Sequence, residues 1–197
     1  MRELLDDLDK NGVDCILITR RALQELPSIE QYRPHCKIYR LENGPIAPID
    51  KTLLQNYHNE NLDAISKIIE EQEAPPLAIH SVYWNSGRLG MALSKNYHIP
   101  FVHSVISNSR GRTARGAIEP VPARAGYEQA IYDAANWILC VSEDEKKDLI
   151  QFYHIDTKKL IVAGQYIHPS FISPARSENG FPRLNSSISH EEQNSVA

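Results

Sequence analysis

No apolar run in this 197-residue sequence is long enough to cross a bilayer: stretches such as Trp137 to Val141 fall far below the roughly 20 residues required. The acidic start, Met1-Arg-Glu-Leu-Leu-Asp-Asp, carries no signal-peptide pattern. Cysteine is scarce, three in all, and Cys15, Cys36 and Cys140 each fall in an expected strand without CxxC or metal-ligand spacing. Buried, reduced thiols are expected, and no metal site. Walker A, GxGxxG, GxSxG and HExxH sequences are all absent, which excludes the usual nucleotide-hydrolase, dinucleotide, esterase and metalloprotease readings. The net charge of −4 and the lack of a stripe of basic and aromatic residues argue against nucleic acid as a partner. With 42% hydrophobic and 23% charged residues, the chain reads as a soluble globular protein rather than a disordered one, cytoplasmic by default.

The apolar pattern alternates between strand and helix periods along the chain. Leucines at 4, 5 and 8 before Gly12 predict an amphipathic helix over 3–11, and the run Cys15-Ile-Leu-Ile18 predicts a strand within 13–19 covered on both faces. Residues 36–41 read as a second strand, and Leu53, Leu54, Tyr57, Leu62, Ile65, Ile68 and Ile69 as a long helix from Lys51 to Glu71, ended by Pro75-Pro76. Strands at 77–80, 100–104, 137–142 and 160–163 then alternate with helices at 86–97, 122–135 and 143–153. This order predicts an α/β domain with a mostly parallel sheet, whose ligands bind at the carboxyl ends of strands. After Ile172 the sequence is polar and aperiodic, so the expected organisation is a domain over 1–172 and a disordered polar tail over 173–197.

Three strand-to-helix loops carry polar residues, and the second holds the clearest charge signal. Between 105 and 125, Arg110, Arg112, Arg115 and Arg124 face one carboxylate, Glu119, within an otherwise acidic chain. A local excess of arginine suits an anion such as phosphate, although a solvated basic loop has the same composition. His80 and His103 end neighbouring strands and so could share a crevice, or each could be a packed core histidine. Tyr83-Trp84 reads either as aromatic packing or as a hydroxyl and ring edge facing a sugar or phosphate.

The segments His80-Ser-Val-Tyr-Trp-Asn-Ser-Gly87, Ile99-Pro-Phe-Val-His-Ser-Val-Ile-Ser107, Arg124-Ala-Gly-Tyr-Glu-Gln129 and Asp133-Ala-Ala-Asn-Trp-Ile-Leu-Cys-Val-Ser-Glu143, in this order, resemble the N-terminal domain of retaining glycosyltransferases of family 4. The branch resembled contains sucrose-phosphate synthase and the inositol-phosphate glycosyltransferases. The resemblance covers nearly all of residues 1–172, from Gly44-Pro45 and Lys51 to Lys158 through Gly164 and Phe171. It implies a Rossmann-like, mostly parallel sheet forming one half of a GT-B architecture, with the family's first strand and second domain missing from this sequence. It also implies that the domain binds an anionic acceptor, a sugar or cyclitol phosphate, with phosphate contacts on Lys51, Tyr83, Ser107 and Arg124. His80, Trp84, His103, Arg110, Arg112 and Glu128 are candidates for the wider pocket. No cofactor is expected, and a nucleotide-sugar donor would bind mainly to a C-terminal domain, or to another chain supplying one.

Two departures bear on chemistry. Ile106 stands where the resemblance places a histidine near the reacting sugar, and Val82 replaces another, so no residue here is assigned as catalytic. The implied function is therefore acceptor binding within hexosyl transfer. The alternative is a catalytically inert fragment or sugar-phosphate-binding module. Without a central first strand, unpaired edges and low stability as an isolated chain are expected.

Overall fold

The leucines that predict the first helix do form one, α1 (Arg2–Lys10), and it lies on a small sheet rather than a large one. The computed structural model describes residues 2–50 and 52–164, all within one unit, Met1–Gln165. Strand β1 (Cys15–Arg20) pairs in parallel with β3 (Cys36–Leu41), and β2 (Ile29–Arg33) returns antiparallel along the far edge of β3 with a bulge at Gln31/Arg33. The sequence Ile-Glu-Gln-Tyr-Arg of β2, set between Pro27 and Pro34, has its two apolar residues, Ile29 and Tyr32, three apart, so no period of two marked it as a strand. Leu5 from α1 packs on Cys36 and Ile38, with Leu8, Cys15, Leu17 and Tyr32 around them.

The long helix expected from Lys51 is instead a 3₁₀ turn (Leu54–Tyr57) followed by α2 (His58–Glu70). A second sheet follows, entirely parallel, in the order β4 (Ile79–Val82), β5 (Phe101–Val105), β6 (Trp137–Cys140), β7 (Leu160–Val162). Its crossovers are α3 (Tyr83–Tyr97) between β4 and β5, α4 (Ser109–Ala114) and α5 (Arg124–Ala134) between β5 and β6, and α6 (Glu143–Tyr153) before β7. Register places Ile79, Phe101, Ser81, His103, Ile138, Val105 and Cys140 on the face carrying the main core, where Trp84, Ile131, Tyr132, Leu149 and Tyr153 join them. The opposite face carries Val82, Val102, Ser104, Trp137, Leu139 and Ile161, with Trp137 and Ile161 exposed.

The expectation that β1 is covered on both faces fails. None of its residues is fully buried, because α1 covers one face only and, among the described residues, no strand pairs with its second edge. Among the described residues strand β4 likewise pairs only with β5. Among the described residues these two parallel strands thus each present an open edge. The stretch 173–197, read as a tail, lies outside the described residues.

Close packing of α3 on β5 depends on Gly90. A Cβ there would sit 2.6 Å from Phe101 Cε2 and 3.2 Å from Ser81 Cβ, both in the core. Gly90→Ala is expected to lower stability by about 1–3 kcal/mol, read as a downward shift of the urea midpoint with an unchanged slope.

Candidate functional site

The carboxyl ends of β4 and β5 bring together Tyr83, the Val105–Asn108 turn and the start of α5. Tyr83 opens α3 at φ +71°, a left-handed backbone that a non-glycine residue adopts at a cost on the order of 1–3 kcal/mol and that clusters at functional sites. Its ring lies under the Arg124 guanidinium, 5.0 Å from Cζ to the ring centroid. Trp84 is buried and stacks on Tyr127 with centroids 5.8 Å apart. Asn108 caps α4, its side chain accepting from the Gly111 N–H at 2.7 Å.

Arg124 is the centre of the cluster, and it is 1% exposed. Its Nε donates to Glu128 Oε1 at 2.7 Å, its Nη1 to Glu119 Oε2 at 3.2 Å, and its Nη2 to the Ser107 carbonyl at 2.9 Å and to Ser107 Oγ at 3.2 Å. Glu128, fully buried and four residues on along α5, uses its other oxygen to accept from the Ser109 N–H at 2.8 Å and from the Tyr153 hydroxyl. Arg124 is therefore already paired, chiefly with a carboxylate that nothing else neutralises, and Ser107 is part of the same network. Both stand inside the protein's own structure before any ligand arrives.

The other arginines of the basic segment divide in the same way. Arg110 turns toward α5 and α6, donating to Gln129 and to the Phe152 carbonyl, with its guanidinium 4.5 Å from the Tyr153 ring centroid. Arg115 forms a two-pronged pair with Asp148, at 3.1 and 2.9 Å. Among the described residues the Arg112 guanidinium alone of the four has no hydrogen bond, ion pair or ring partner. It lines a small cavity with Thr52, Tyr83, Trp84, Glu119, Pro120, Val121 and Arg124. At about 30 Å³ that cavity holds a water molecule or two, not a sugar phosphate. Lys51, the remaining expected phosphate contact, lies outside the described residues, directly before the cavity-lining Thr52. Thr52 and Glu119 were not singled out as site residues by sequence. Thr52 has no distinguishing pattern, whereas the single carboxylate amid four arginines was visible as a signal.

The two histidines do not share a crevice. Pairing of His80 with Val102 and of Ser81 with His103 sends them to opposite faces of the sheet. His103 is 1% exposed, hydrogen-bonded through Nδ1 to Ser81 Oγ at 2.8 Å, and burial, then the neighbouring His80, pushes its pKa down to about 3. His80 is exposed and shares a 2.7 Å hydrogen bond between Nε2 and Ser104 Oγ. Ile106, at the position of the expected histidine, is 51% exposed. Among the described residues no three His, Cys, Asp or Glu side chains cluster to hold a metal, and no helix is long and apolar enough to cross a membrane.

A parallel sheet with one helix layer packed behind it, and polar side chains gathered at its carboxyl ends, defines one Rossmann-like α/β domain of the GT-B type. The chain belongs to Glycosyltransferase Family 4, whose sequence profile matches residues 1–169. It is 26% identical to the D-inositol 3-phosphate glycosyltransferase of Pseudarthrobacter chlorophenolicus over 189 residues, 91% of this chain and 45% of that protein. The protein of the same name from Kineococcus radiotolerans is 26% identical over 181 residues, 88% of this chain and 41% of its own length. Among solved structures, sucrose-phosphate synthase from Thermosynechococcus elongatus superposes with a TM-score of 0.75 at 21% identity, covering 83% of this chain and 41% of that one. A structure carrying only part of the same enzyme gives a TM-score of 0.68, covering 87% of this chain and 86% of that one. The chain thus spans less than half the length of the curated relatives it matches.

Proposed function

We propose that this chain is the acceptor-binding domain of a retaining glycosyltransferase, working on a sugar or cyclitol phosphate, with the nucleotide-sugar donor held mainly by a second domain or chain. The observation that carries this reading is the cavity between Arg112 and Arg124, at the end of the sheet where α/β domains take ligands. Arg112 brings a cation without a partner among the described residues, Tyr83 a hydroxyl-bearing ring, and Lys51 would add a second cation. The names of the relatives point to phosphorylated acceptors, and their length leaves room for donor contacts elsewhere.

Glu119 explains how so small a cavity could serve. It lies between Ile118, 90% exposed, and the exposed Pro120, and its pair with Arg124 is longer than that of Glu128, 3.2 against 2.7 Å. A phosphate takes the place of the Glu119 carboxylate on Arg124 Nη1, and Arg112 offsets the second negative charge that a phosphate carries and a carboxylate does not. The protein's part in transfer is then positioning and charge stabilisation rather than proton transfer, since Ile106 can neither donate nor accept a proton.

Titration of the chain with inositol 3-phosphate or fructose 6-phosphate tests this by calorimetry. Arg112→Ala is expected to weaken binding about tenfold or more, the worth of one charge-assisted contact, and Glu119→Gln to strengthen it. Unchanged affinity in both variants overturns the phosphate site. With UDP- or GDP-sugar added, the chain by itself should give no turnover.

A further inference from the structure

Cys15 and Cys36 occupy directly paired positions on the parallel strands β1 and β3. Residues so paired project to the same face, and strand spacing puts their Cα atoms about 4.8 Å apart. That lies inside the range of roughly 4.4 to 6.8 Å that a disulfide spans. The two thiols sense each other directly: the Cys15 pKa is pushed up first by burial and then by the charge and hydrogen bonding of Cys36. They differ sharply in access. Cys36 is wholly buried under α1, its thiol donating to the Leu5 carbonyl at 3.3 Å, whereas Cys15 is half-buried on a strand whose second edge no strand pairs among the described residues. That open edge leaves β1 free to shift the few tenths of an ångström that bond formation asks. Cys140, in the main core, is 1% exposed and pushed up to about 12 by burial, so it serves as an internal control.

We propose that Cys15 and Cys36 are a cross-strand dithiol that a small disulfide such as oxidised glutathione converts to an intramolecular disulfide, with Cys15 reacting first. The Cys15 thiolate attacks one glutathione sulfur and displaces one reduced glutathione, leaving a mixed disulfide. The Cys36 thiolate then attacks the Cys15 sulfur and displaces the second glutathione. Two electrons and two protons pass from the protein to the small disulfide, and a covalent tie joins β1 to β3. Cys15 leads because it is the thiol that solvent reaches, and Cys36 resolves because it lies beside it and away from water.

The test incubates the native full-length chain with oxidised glutathione at about pH 8.5, near the ordinary thiol pKa, then maps peptides under non-reducing conditions. The expected product has lost two hydrogens and joins the Cys15 and Cys36 peptides, with Cys140 still a free thiol. In Cys36→Ser the reaction stops at a glutathione adduct on Cys15, and in Cys15→Ser adduct formation is slower by roughly tenfold or more. A wild-type chain that keeps a stable adduct without the cross-link overturns the proposal, as does a cross-link through Cys140. The wild-type map decides the matter even if either variant folds poorly.

Discussion

Arg124→Ala is expected to cost about 3–5 kcal/mol of stability, far more than the loss of one ligand contact would suggest. Removing the guanidinium leaves Glu128 with no exposed surface and no cation, and strips Ser107 and Glu119 of their shared donor. A buried carboxylate left alone must either take up a proton or draw water into the core, and both weaken the fold. Arg124→Lys should recover little, since one ammonium cannot reach the three directions the planar fork serves. Arg124→Met with Glu128→Leu should recover more than either single change, because an apolar pair of similar volume leaves no orphaned charge. Urea unfolding of the wild type, Arg124→Ala, Arg124→Lys, the double variant and its two single components checks this. A single Arg124→Ala variant as stable as the wild type would mean that Arg124 is held for a ligand and not for the fold.

The second large effect concerns pH and two buried groups of opposite sign. His103 has its pKa lowered to about 3 in the folded chain, against an ordinary value of 6.5, so the unfolded chain binds the extra proton and stability is lost as pH falls from 6.5 toward 3. Glu145, buried in the first turn of α6 and accepting from the Val141 N–H at 3.0 Å, is pushed up to about 7 by burial and then by Asp148 and Glu128. Its contribution is fully present below about 4.5 and is lost as pH rises through 7. Between pH 4.5 and 6.5 the two cancel, and below 4.5 His103 acts alone. Glu145→Gln is therefore expected to turn the flat region into a steady loss on acidification, at about 1.4 kcal/mol per pH unit. His103→Gln should do the reverse, gaining stability relative to the wild type as pH falls from 6.5. Stability measured at pH 5 and pH 7 for the three chains decides it, and parallel profiles would show that neither group titrates abnormally.

Periodicity carried most of the architecture, because helices and strands long enough to repeat their pattern declare themselves. The second half, from β4 to β7, fell within a few residues of expectation, and α6 matched at both ends. The elements that escaped were short or polar. Helix α4 is six residues long, too short to show a period within the basic loop, though Asn108 before Ser109 is a readable cap. The site is less legible for a physical reason: a sequence orders charges along the chain, whereas carboxylates neutralise arginines through space. Asp148, far along the sequence, answers Arg115, and Glu128 answers Arg124. Only the second pair, at helical spacing of four, could have been anticipated from sequence. The histidine crevice failed on parity, since one step of register separates the two faces of a sheet.

The two clusters of buried side chains share no member: three residues between α1 and β3, and thirteen behind the parallel sheet. Local opening is set by how much apolar surface each unit must expose, so the α1–β3 end can come apart and re-form while the core around Arg124 stays closed. The chain thus has a soft end and a hard end. Amide protons in β1 and β3 would be traded with solvent through small, frequent excursions, and those in β5 and β6 only when the whole unit lets go.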